Sequence, residues 1–242
     1  MSYSWTGPGI VSGANTATPL VNTAGTYTLT VTSNSNGCTA TDVVLVTLNV
    51  KVPIANAGSD NSLTCTTTSL SLQGTSSVSP SNFSWSGPGI VSGANTATPT
   101  VNAAGTYSVI VTDPSNGCTS SDDVLISLNV VSPDADAGAD NTITCTNGTV
   151  SLNGSSANAG VNYSWSGPGI SGSSNTASIN VNAAGTYTLT VTNPANGCTA
   201  SDVAVVGTNF NTPSAEAGPA NALTCVILEV ALSGSSSTPG AQ

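Results

Sequence analysis

The sequence has almost no positive charge: it contains no histidine and one basic residue, Lys51, against eleven acidic residues. A chain with one cation and a formal net charge of -10 cannot neutralise a row of phosphates or be drawn to an anionic bilayer, which excludes nucleic-acid binding. The absence of histidine removes the most common general base and the usual zinc ligand. One lysine also cannot serve both as a phosphate clamp and as a nucleophile. We therefore expect no enzyme activity, no cofactor and no metal site.

Long apolar runs and targeting features are scarce as well. The longest apolar stretches, such as residues 43–46, are much shorter than the roughly 18 residues that a membrane helix requires, so we expect no membrane insertion. After Met1 the sequence shows neither the basic start nor the apolar core of a signal peptide. Six cysteines in a chain with only 5% charged residues nevertheless favour an oxidising compartment. We expect a window from a longer secreted protein, or an export signal that lies elsewhere.

What the sequence does contain is an internal repeat with a period of 80 residues. Tryptophans, cysteines and prolines all recur at this spacing: Trp5, Trp85 and Trp165; Cys38, Cys118 and Cys198; Cys65, Cys145 and Cys225; Pro53, Pro133 and Pro213. Solenoid repeats usually have about 20 to 50 residues. A repeat of 80 residues is long enough to form a small domain with its own core.

Within each repeat, apolar and polar residues alternate with a period of two, which is typical of strands with one inward face. The pattern is clear at residues 69–72, 106–111 and 124–130, where Val124, Ile126, Leu128 and Val130 share the predicted inward face. Asn116-Gly117, with counterparts at 36–37 and 196–197, predicts a tight hairpin turn between two strands. About seven short strands per repeat predict a two-sheet β-sandwich, and the fold class is therefore all-β.

The repeat boundaries are predicted by the recurring prolines, each of which follows a strongly alternating strand. Cutting there gives two complete sandwiches, 52–131 and 132–211. Residues 1–51 then hold the C-terminal half of a sandwich, and residues 212–242 hold the N-terminal half. Because the halves are complementary, we expect one copy to complete the sandwich of the next by strand exchange. The alternative is that both ends are cuts in a longer continuous chain.

Several segments resemble PKD-type immunoglobulin-like domains: 55–60 (Ala-Asn-Ala-Gly-Ser-Asp), 70–74 (Leu-Ser-Leu-Gln-Gly), 83–85 (Phe-Ser-Trp) and 104–113 (Ala-Gly-Thr-Tyr-Ser-Val-Ile-Val-Thr-Asp). The Asn-Gly-Cys-Thr-Ser-Ser-Asp segment at 116–122 is similar to tandem repeats of secreted bacterial surface proteins, including gliding-type adhesins. The resemblance implies immunoglobulin-like sandwiches arranged as a rod, which act as spacers, stalks or adhesive surfaces. Cys118 lies eleven residues after Tyr107, unlike the spacing of two in antibody domains, so no disulfide through the core is implied.

The six cysteines, which we expect to be oxidised, have three possible intrachain registers. Bridges could join residues 27 apart (Cys38 with Cys65), 53 apart (Cys65 with Cys118) or 133 apart (Cys65 with Cys198). The strand order places Cys65 and Cys118 at opposite poles of one sandwich, about 25 Å apart at roughly 3.3 Å per residue. A disulfide requires Cα atoms within about 7 Å, which favours the pairing with Cys198 of the next repeat. The pairing within one repeat stays open, because one pair per repeat is the simplest arrangement.

The aromatic side chains are predicted to form the core. Two sets of positions 80 apart lie on inward strand faces: Trp5, Trp85 and Trp165, and Tyr27, Tyr107 and Tyr187. Tyr3, Phe83 and Tyr163 form a third set on the same strand face as the tryptophans, which leaves Phe210 as the one aromatic residue outside these sets. No obvious aromatic platform for stacking sugars remains.

Acidic residues recur at two further sets of positions: Asp60 and Asp140, and Asp42, Asp122 and Asp202. A calcium site needs six to eight oxygen ligands, and two carboxylates per repeat fall short of that. Solvated or turn-capping aspartates are therefore the favoured interpretation, with structural calcium as the alternative. Four Asn-X-Ser/Thr sequons leave glycosylation open.

Together these observations predict a structural repeat region of an extracellular bacterial fibre or surface adhesin, located outside the cell or on its surface. Its expected partners are copies of itself end to end, and surface polysaccharide is a further possible partner. The alternative is a module that binds carbohydrate or a cell surface through exposed serine, threonine and asparagine side chains. An assembly without added ligand supports the first function, and a soluble monomer that binds glycans supports the second.

Overall fold

The computed structural model describes residues 1–236, and every regular element in that range is a β-strand. Within these residues there is no helix of the length and hydropathy needed to cross a membrane. The chain divides into two compact units. One consists of residues 1–63 and 69–127, and the other of residues 64–68 with the chain from Leu128 onward. The four domain bounds placed at the prolines stay a prediction.

The first group of strands forms a three-stranded and a two-stranded sheet. Its members are β1 (Ser2–Thr6), β2 (Ile10–Ser12), β3 (Leu20–Val21), β4 (Gly25–Thr32) and β5 (Thr39–Val46). The larger sheet has the order β1-β4-β5, with antiparallel pairing throughout, and β2 pairs with β3. Tyr27 on β4 is buried between the two sheets, whereas Trp5 on β1 is half-buried.

The second group of strands forms a more complete sandwich. It contains β6 (Ala55–Asn56), β7 (Asn61–Thr64), β8 (Leu70–Ser71), β9 (Thr75–Ser76), β10 (Asn82–Ser86), β11 (Ile90–Ser92), β12 (Thr100–Val101), β13 (Gly105–Thr112) and β14 (Thr119–Asn129). A four-stranded sheet has the order β10-β13-β14-β7, and it faces a three-stranded sheet of order β11-β12-β8. The short strands β6 and β9 form a further pair.

The third group of strands repeats this arrangement. It contains β15 (Asn141–Thr144), β16 (Val150–Asn153), β17 (Asn162–Ser166), β18 (Ile170–Ser171), β19 (Ser178–Val181), β20 (Gly185–Thr192) and β21 (Thr199–Asn209). The sheets have the orders β15-β21-β20-β17 and β16-β19-β18, and β15 runs parallel to β21. Two facing sheets with this pairing, joined by a tyrosine corner, form an immunoglobulin-like sandwich. The predicted all-β fold class is confirmed.

The tyrosine corner lies at the start of β13 and of β20. The hydroxyl of Tyr107 donates to the carbonyl of Ala103 at 2.7 Å, and that of Tyr187 donates to the carbonyl of Ala183 at 2.6 Å. Burial raises the pKa of both phenols. Tyr27 makes the corresponding bond to the carbonyl of Thr23 at 2.5 Å. Each bond fixes the start of a strand against the loop before it.

Period-two alternation places the core where it was expected along β13, but only in part along β14. Tyr107, Val109 and Val111 are fully buried. Val124 and Ile126 on β14 are buried as well, whereas Leu128 and Val130 are 61% and 42% exposed. The predicted inward face of residues 124–130 is therefore wrong beyond Ile126. Ile126 pairs with Gly105, the first residue of β13, so later residues extend past the covered part of the sheet.

The hairpin at Asn116-Gly117 is present, but its loop is wider than a two-residue turn. The Asp113 N–H donates to the carbonyl of Cys118 at 2.9 Å, so four residues form the loop between this pair. The Gly117 N–H donates back to the carbonyl of Asp113 at 2.8 Å, and Gly117 has a φ of 74°. A short helical turn that ends on a left-handed glycine therefore replaces the predicted tight turn.

Candidate functional site

The structure joins Cys65 to Cys198 in a disulfide with a Cα–Cα distance of 5.1 Å and a sequence separation of 133 residues. This is the register that links successive sequence repeats, and Cys198 is almost fully buried. The open alternative, Cys65 with Cys118, does not form. Within residues 1–236 of one chain, Cys38, Cys118, Cys145 and Cys225 are free thiols, of which Cys118 is half-buried and the others are exposed. Among residues 1–236, the bridge is the one covalent link between distant parts of the chain, and we take it as the centre of the candidate site.

Asn196 anchors the loop that carries Cys198. Its side-chain oxygen accepts the Cys198 N–H at 3.0 Å. Its amide nitrogen donates to the side-chain oxygen of Asn129 at 3.0 Å and to the carbonyl of Val131 at 2.9 Å. Asn196 is only 2% exposed, so its bond to the Cys198 N–H is buried and its two bonds to the segment after β14 are partly buried. The turn residue predicted from Asn196-Gly197 is therefore also a polar tie to the segment that follows β14.

The same tie recurs one repeat earlier. The Asn116 amide nitrogen donates to the side-chain oxygen of Asn49 at 3.1 Å and to the carbonyl of Lys51 at 3.0 Å. Its side-chain oxygen accepts the Cys118 N–H at 2.8 Å. Asn116 is less buried than Asn196, and no disulfide forms beside it. The polar tie therefore forms without the bridge.

Cys65 lies in a turn held by threonine hydroxyls. The Thr64 N–H donates to the carbonyl of Thr67 at 2.9 Å, and the Thr64 hydroxyl accepts the Thr67 N–H at 2.9 Å. On the other side of the bridge, a Cβ placed on Gly197 would collide with Thr66. Gly197 has a φ of 70°, so glycine provides both the backbone conformation and the close approach that this site needs.

The recurring aspartates accept hydrogen bonds from backbone N–H groups. Asp122 accepts from Ala57 at 2.9 Å, and Asp202 accepts from Ala137 at 2.8 Å. These bonds tie the first strand region of each sandwich to its last strand. The Ala137 N–H, followed by that of Val203, lowers the pKa of Asp202.

The other set of aspartates acts in the same way. Asp60 accepts from the Leu125 N–H at 2.9 Å, and Asp140 accepts from the Val205 N–H at 2.8 Å. In residues 1–236, no three side chains of the histidine, cysteine, aspartate or glutamate type come together as metal ligands. The capping bonds give both sets a structural role.

The Gly-Pro-Gly segment of each repeat packs closely against the tyrosine corner. A Cβ on Gly87 would lie 2.5 Å from the Tyr107 ring, and Gly87 has a φ of 149°. Pro88 in turn lies over Gly105, where a Cβ would approach its ring to 2.6 Å. The segments at 7–9 and 167–169 make the same contacts. The glycines and the proline are therefore needed to interlock this loop with the start of β13.

The predicted core aromatics occupy two environments. Trp85 and Trp165 are 5% and 4% exposed, and their indole N–H groups donate to the carbonyls of Thr96 and Ala177 at 3.0 and 3.2 Å. The Trp85 ring lies against Gly74, which lies between β8 and β9 and directly precedes β9. Trp5 is only half-buried, because no counterpart of β8 covers it in the described structure.

Sequence reasoning missed the roles of Asn49, Asn129 and the Gly-Pro-Gly segments. The signal was available, because Asn49, Asn129 and Asn209 recur at the same spacing as the cysteines. Their partners lie 67 residues further along the chain, at Asn116 and Asn196, and no local pattern reveals a contact at that distance.

No protein-family model matches the chain, and no curated protein sequence matches it. The chain is similar to several solved structures. The I-band fragment I67-I69 from titin is 14% identical with a TM-score of 0.39, covering 86% of this chain and 87% of that chain. Extracellular domains 3-5 of Drosophila OTK are 14% identical with a TM-score of 0.34, covering 77% and 71%. The N-terminal four Ig domains of Dscam1 isoform 1.9 are 12% identical with a TM-score of 0.28, covering 86% and 64%. The chain is a tandem of immunoglobulin-like sandwiches by its own sheets and tyrosine corners.

Proposed function

We propose that this chain is a structural repeat region of an extracellular fibre or surface adhesin of a bacterium, in which immunoglobulin-like sandwiches follow one another head to tail and transmit tension. The observation that carries the proposal is the Cys65–Cys198 disulfide with its polar anchor at Asn196. A bridge between successive repeats ties the repeats to each other, which independent binding modules do not require. It is useful where tension passes from one repeat to the next.

The bridge and its surroundings support resistance to extension in two ways. The disulfide closes a loop of 133 residues, which restricts the unfolded chain and contributes on the order of 4 to 5 kcal/mol by loop entropy. The bonds from Asn196 hold the segment after β14 in place, so the joint between repeats is ordered by side chains as well as by the bridge.

The chemistry of the chain supports an extracellular location and a role without catalysis. A disulfide persists in an oxidising compartment and is rare in the bacterial cytoplasm. The sequence has no histidine and one basic residue, which leaves few groups for acid-base or nucleophilic catalysis. The recurring polar groups described above satisfy backbone N–H groups of the fold itself.

Single-molecule pulling tests whether the chain transmits tension as proposed. In the oxidised chain, the disulfide withholds 133 residues from extension, which at about 3.6 Å per residue is roughly 48 nm of contour length. We expect this length to appear only after reduction, and to be present from the start in a Cys65→Ser chain. An oxidised wild-type chain that extends to the same final length as the Cys65→Ser chain would contradict the proposal.

Two further measurements separate the proposed function from the alternative. Peptide mapping of protein taken from its native source with thiols blocked at collection should recover Cys65 joined to Cys198. A glycan array probed with the purified chain tests the binding module directly. Saturable glycan binding by a monomer without the bridge would favour the module over the structural region.

A further inference from the structure

The first sheet, β1-β4-β5, presents an apolar groove that corresponds to a covered surface in the third group of strands. Val44 and Val46 on β5 occupy the positions of Ala204 and Val206 on β21, which are almost fully buried beside β15. Val44, in contrast, is 48% exposed. Trp5, Ala17, Pro19, Val21, Tyr27, Val44 and Val46 line a groove of about 300 Å³.

Two backbone hydrogen-bond patterns of residues 133–156, a bridge and a turn, recur in the equivalent segment 213–236. Glu216 and Ser235 exchange backbone hydrogen bonds of 2.9 and 2.8 Å, as Asp136 and Ser155 do at 3.0 and 2.7 Å. The Thr224 N–H donates to the carbonyl of Ile227 at 2.9 Å, like the Thr144 turn. The segment therefore has the bridge and the turn of its counterpart, but not the strands β15 and β16 that pair with neighbouring strands there.

The apolar side chains of this segment are exposed at positions that a complete sandwich buries. Leu223 and Leu232 are 64% and 76% exposed, whereas their equivalents Ile143 and Leu152 are 4% and 1% exposed. Val230 corresponds to the buried Val150. The groove and the segment thus expose two apolar surfaces whose equivalents bury each other in the third group of strands.

Each free cysteine lies in one of the two local frameworks that surround the observed bridge. Cys145 and Cys225 lie in threonine turns of the same kind as the turn that contains Cys65. Cys38 and Cys118 donate their N–H groups to Asn36 and Asn116 at 3.2 and 2.8 Å, as Cys198 does to Asn196. One chain therefore has two free thiols in threonine turns and two in asparagine-anchored loops.

We propose that the segment 213–236 of one copy, the donor, fills the groove of residues 1–46 of a second copy, the acceptor. Two disulfides lock this junction: Cys145 of the donor with Cys38 of the acceptor, and Cys225 of the donor with Cys118 of the acceptor. This proposal rests on the proposed head-to-tail structural role and names its partner, a second copy of the chain.

The register follows from the observed pairs by shifting each residue by whole repeats. Asn141 pairs with Val206, so Asn221 of the donor lies parallel beside Val46 of the acceptor. Val150 pairs with Val181, so Val230 of the donor lies opposite Val21 of the acceptor. The spacing of the observed bridge, 133 residues, matches both proposed disulfides when the acceptor continues the donor at the 80-residue period.

The polar contacts recur at the junction with one exception. Asp42 of the acceptor corresponds to Asp202 and meets the N–H of Ala217, while Asn36 meets Asn209 as Asn196 meets Asn129. The exception is Ala220, which stands where Asp60 and Asp140 cap a backbone N–H. The junction therefore lacks one capping bond that both inner repeats have.

Each disulfide forms by thiol–disulfide exchange. The two cysteine thiols lose two protons and two electrons to an external disulfide oxidant, which leaves as two thiols, and one Sγ–Sγ bond forms. Assembly precedes oxidation, because the strand exchange brings the sulfur atoms together.

The noncovalent step is tested with the full chain in which Cys38, Cys118, Cys145 and Cys225 are serine. We expect its weight-average mass in sedimentation to rise reversibly with concentration. Leu232→Asp should weaken this association by at least about 30-fold, because a buried leucine is worth roughly 2 kcal/mol or more at 1.4 kcal/mol per tenfold. The matched control is Leu228→Asp. Leu228 is also 76% exposed but corresponds to the exposed Gly148, so its replacement should change the association by less than about threefold.

The covalent step is tested by mixing ¹⁴N and ¹⁵N full-length chains before oxidation by a glutathione disulfide buffer. Mass spectrometry of the digest should find mixed-isotope peptides that join Cys145 to Cys38 and Cys225 to Cys118. Cys65 should stay joined to Cys198 in peptides of a single isotope. A Cys38→Ser chain should lose the first mixed pair and retain the second.

Two results would overturn the complementation. One is a monomer at all concentrations, and the other is an equal effect of Leu232→Asp and Leu228→Asp. If Cys145 or Cys225 is found bridged in single-isotope peptides and never in mixed-isotope peptides, the disulfide assignment is overturned. None of these three results affects the pulling experiment on Cys65 and Cys198, so failure of this inference is distinguishable from failure of the proposed function.

Discussion

Replacing Asn196 by alanine removes the polar anchor of the bridged loop without touching either cysteine. Three hydrogen bonds disappear, those to the Cys198 N–H, to Asn129 and to the carbonyl of Val131. The side chain is 2% exposed, so water cannot easily replace it. At about 1 kcal/mol for each bond, with a further cost for buried groups left unsatisfied, we expect a loss of about 3 kcal/mol in the free energy of unfolding.

The matched control is Asn116→Ala. Asn116 makes the same three bonds, to Cys118, Asn49 and Lys51, but at a site that water reaches more easily. Solvent can replace its bonds, and we expect a loss of about 1 kcal/mol. Urea unfolding of the two variants, followed by tryptophan fluorescence with the Cys65–Cys198 bridge intact, measures both values.

The comparison also separates the anchor from the bridge. If Asn196 acts mainly by positioning Cys198 for oxidation, its replacement will slow disulfide formation but leave the oxidised protein as stable as the Asn116 variant. Equal losses for the two variants, or a loss below about 0.5 kcal/mol for Asn196→Ala, would refute the argument from burial.

Three further predictions concern the sandwich itself. Trp85→Ala leaves a large cavity between the sheets and should cost about 3 to 5 kcal/mol in thermal unfolding, and an unchanged melting temperature would show that this side chain contributes no core packing. Gly87→Ala forces a Cβ against the Tyr107 ring and should cost more than 1 kcal/mol, whereas the Tyr107→Phe variant should lose about 1 kcal/mol with its hydroxyl bond. A smaller effect of Gly87→Ala than of Tyr107→Phe in urea unfolding would contradict the proposed contact. Asp202 has a lowered pKa, so its contribution to stability is present above the unfolded value of about 4 and is lost as the pH falls through the folded pKa. The Asp202→Asn chain should therefore lose less stability than the wild type between pH 7 and pH 2.5, and parallel melting curves would contradict this assignment.

The fold could be predicted from the sequence because its signals are local and repeated. Alternation at Tyr107, Val109 and Val111 identifies one face of β13, and all three side chains are buried. The same rule failed at Leu128 and Val130, since alternation reports which face a residue is on but not where the covering sheet ends. That limit depends on the lengths of β13 and β14 together, which no single segment encodes.

The bridge was predictable in part, and its surroundings were not. The strand order places Cys65 and Cys118 at opposite ends of one sandwich, and the length of the strands keeps these ends apart. This argument favoured the disulfide between Cys65 and Cys198 that the structure contains. The anchor at Asn196 depends on Asn129 and Val131, which lie 67 and 65 positions earlier in the chain. An asparagine before glycine has a sufficient local explanation as a turn residue, and this explanation concealed the second role.

The span of the disulfide also determines how the chain responds to a cut. Residues 66–197 lie inside the loop that Cys65 and Cys198 close. A protease that cleaves one peptide bond anywhere in this range leaves both halves joined through sulfur, so the chain keeps its continuity. The bridge spans 133 residues and the repeat has 80, so bridges at successive repeats overlap by 53 residues. In a filament bridged in this way every peptide bond would lie inside at least one such loop, so a single cleavage would leave the filament joined, which suits a protein exposed to enzymes outside the cell.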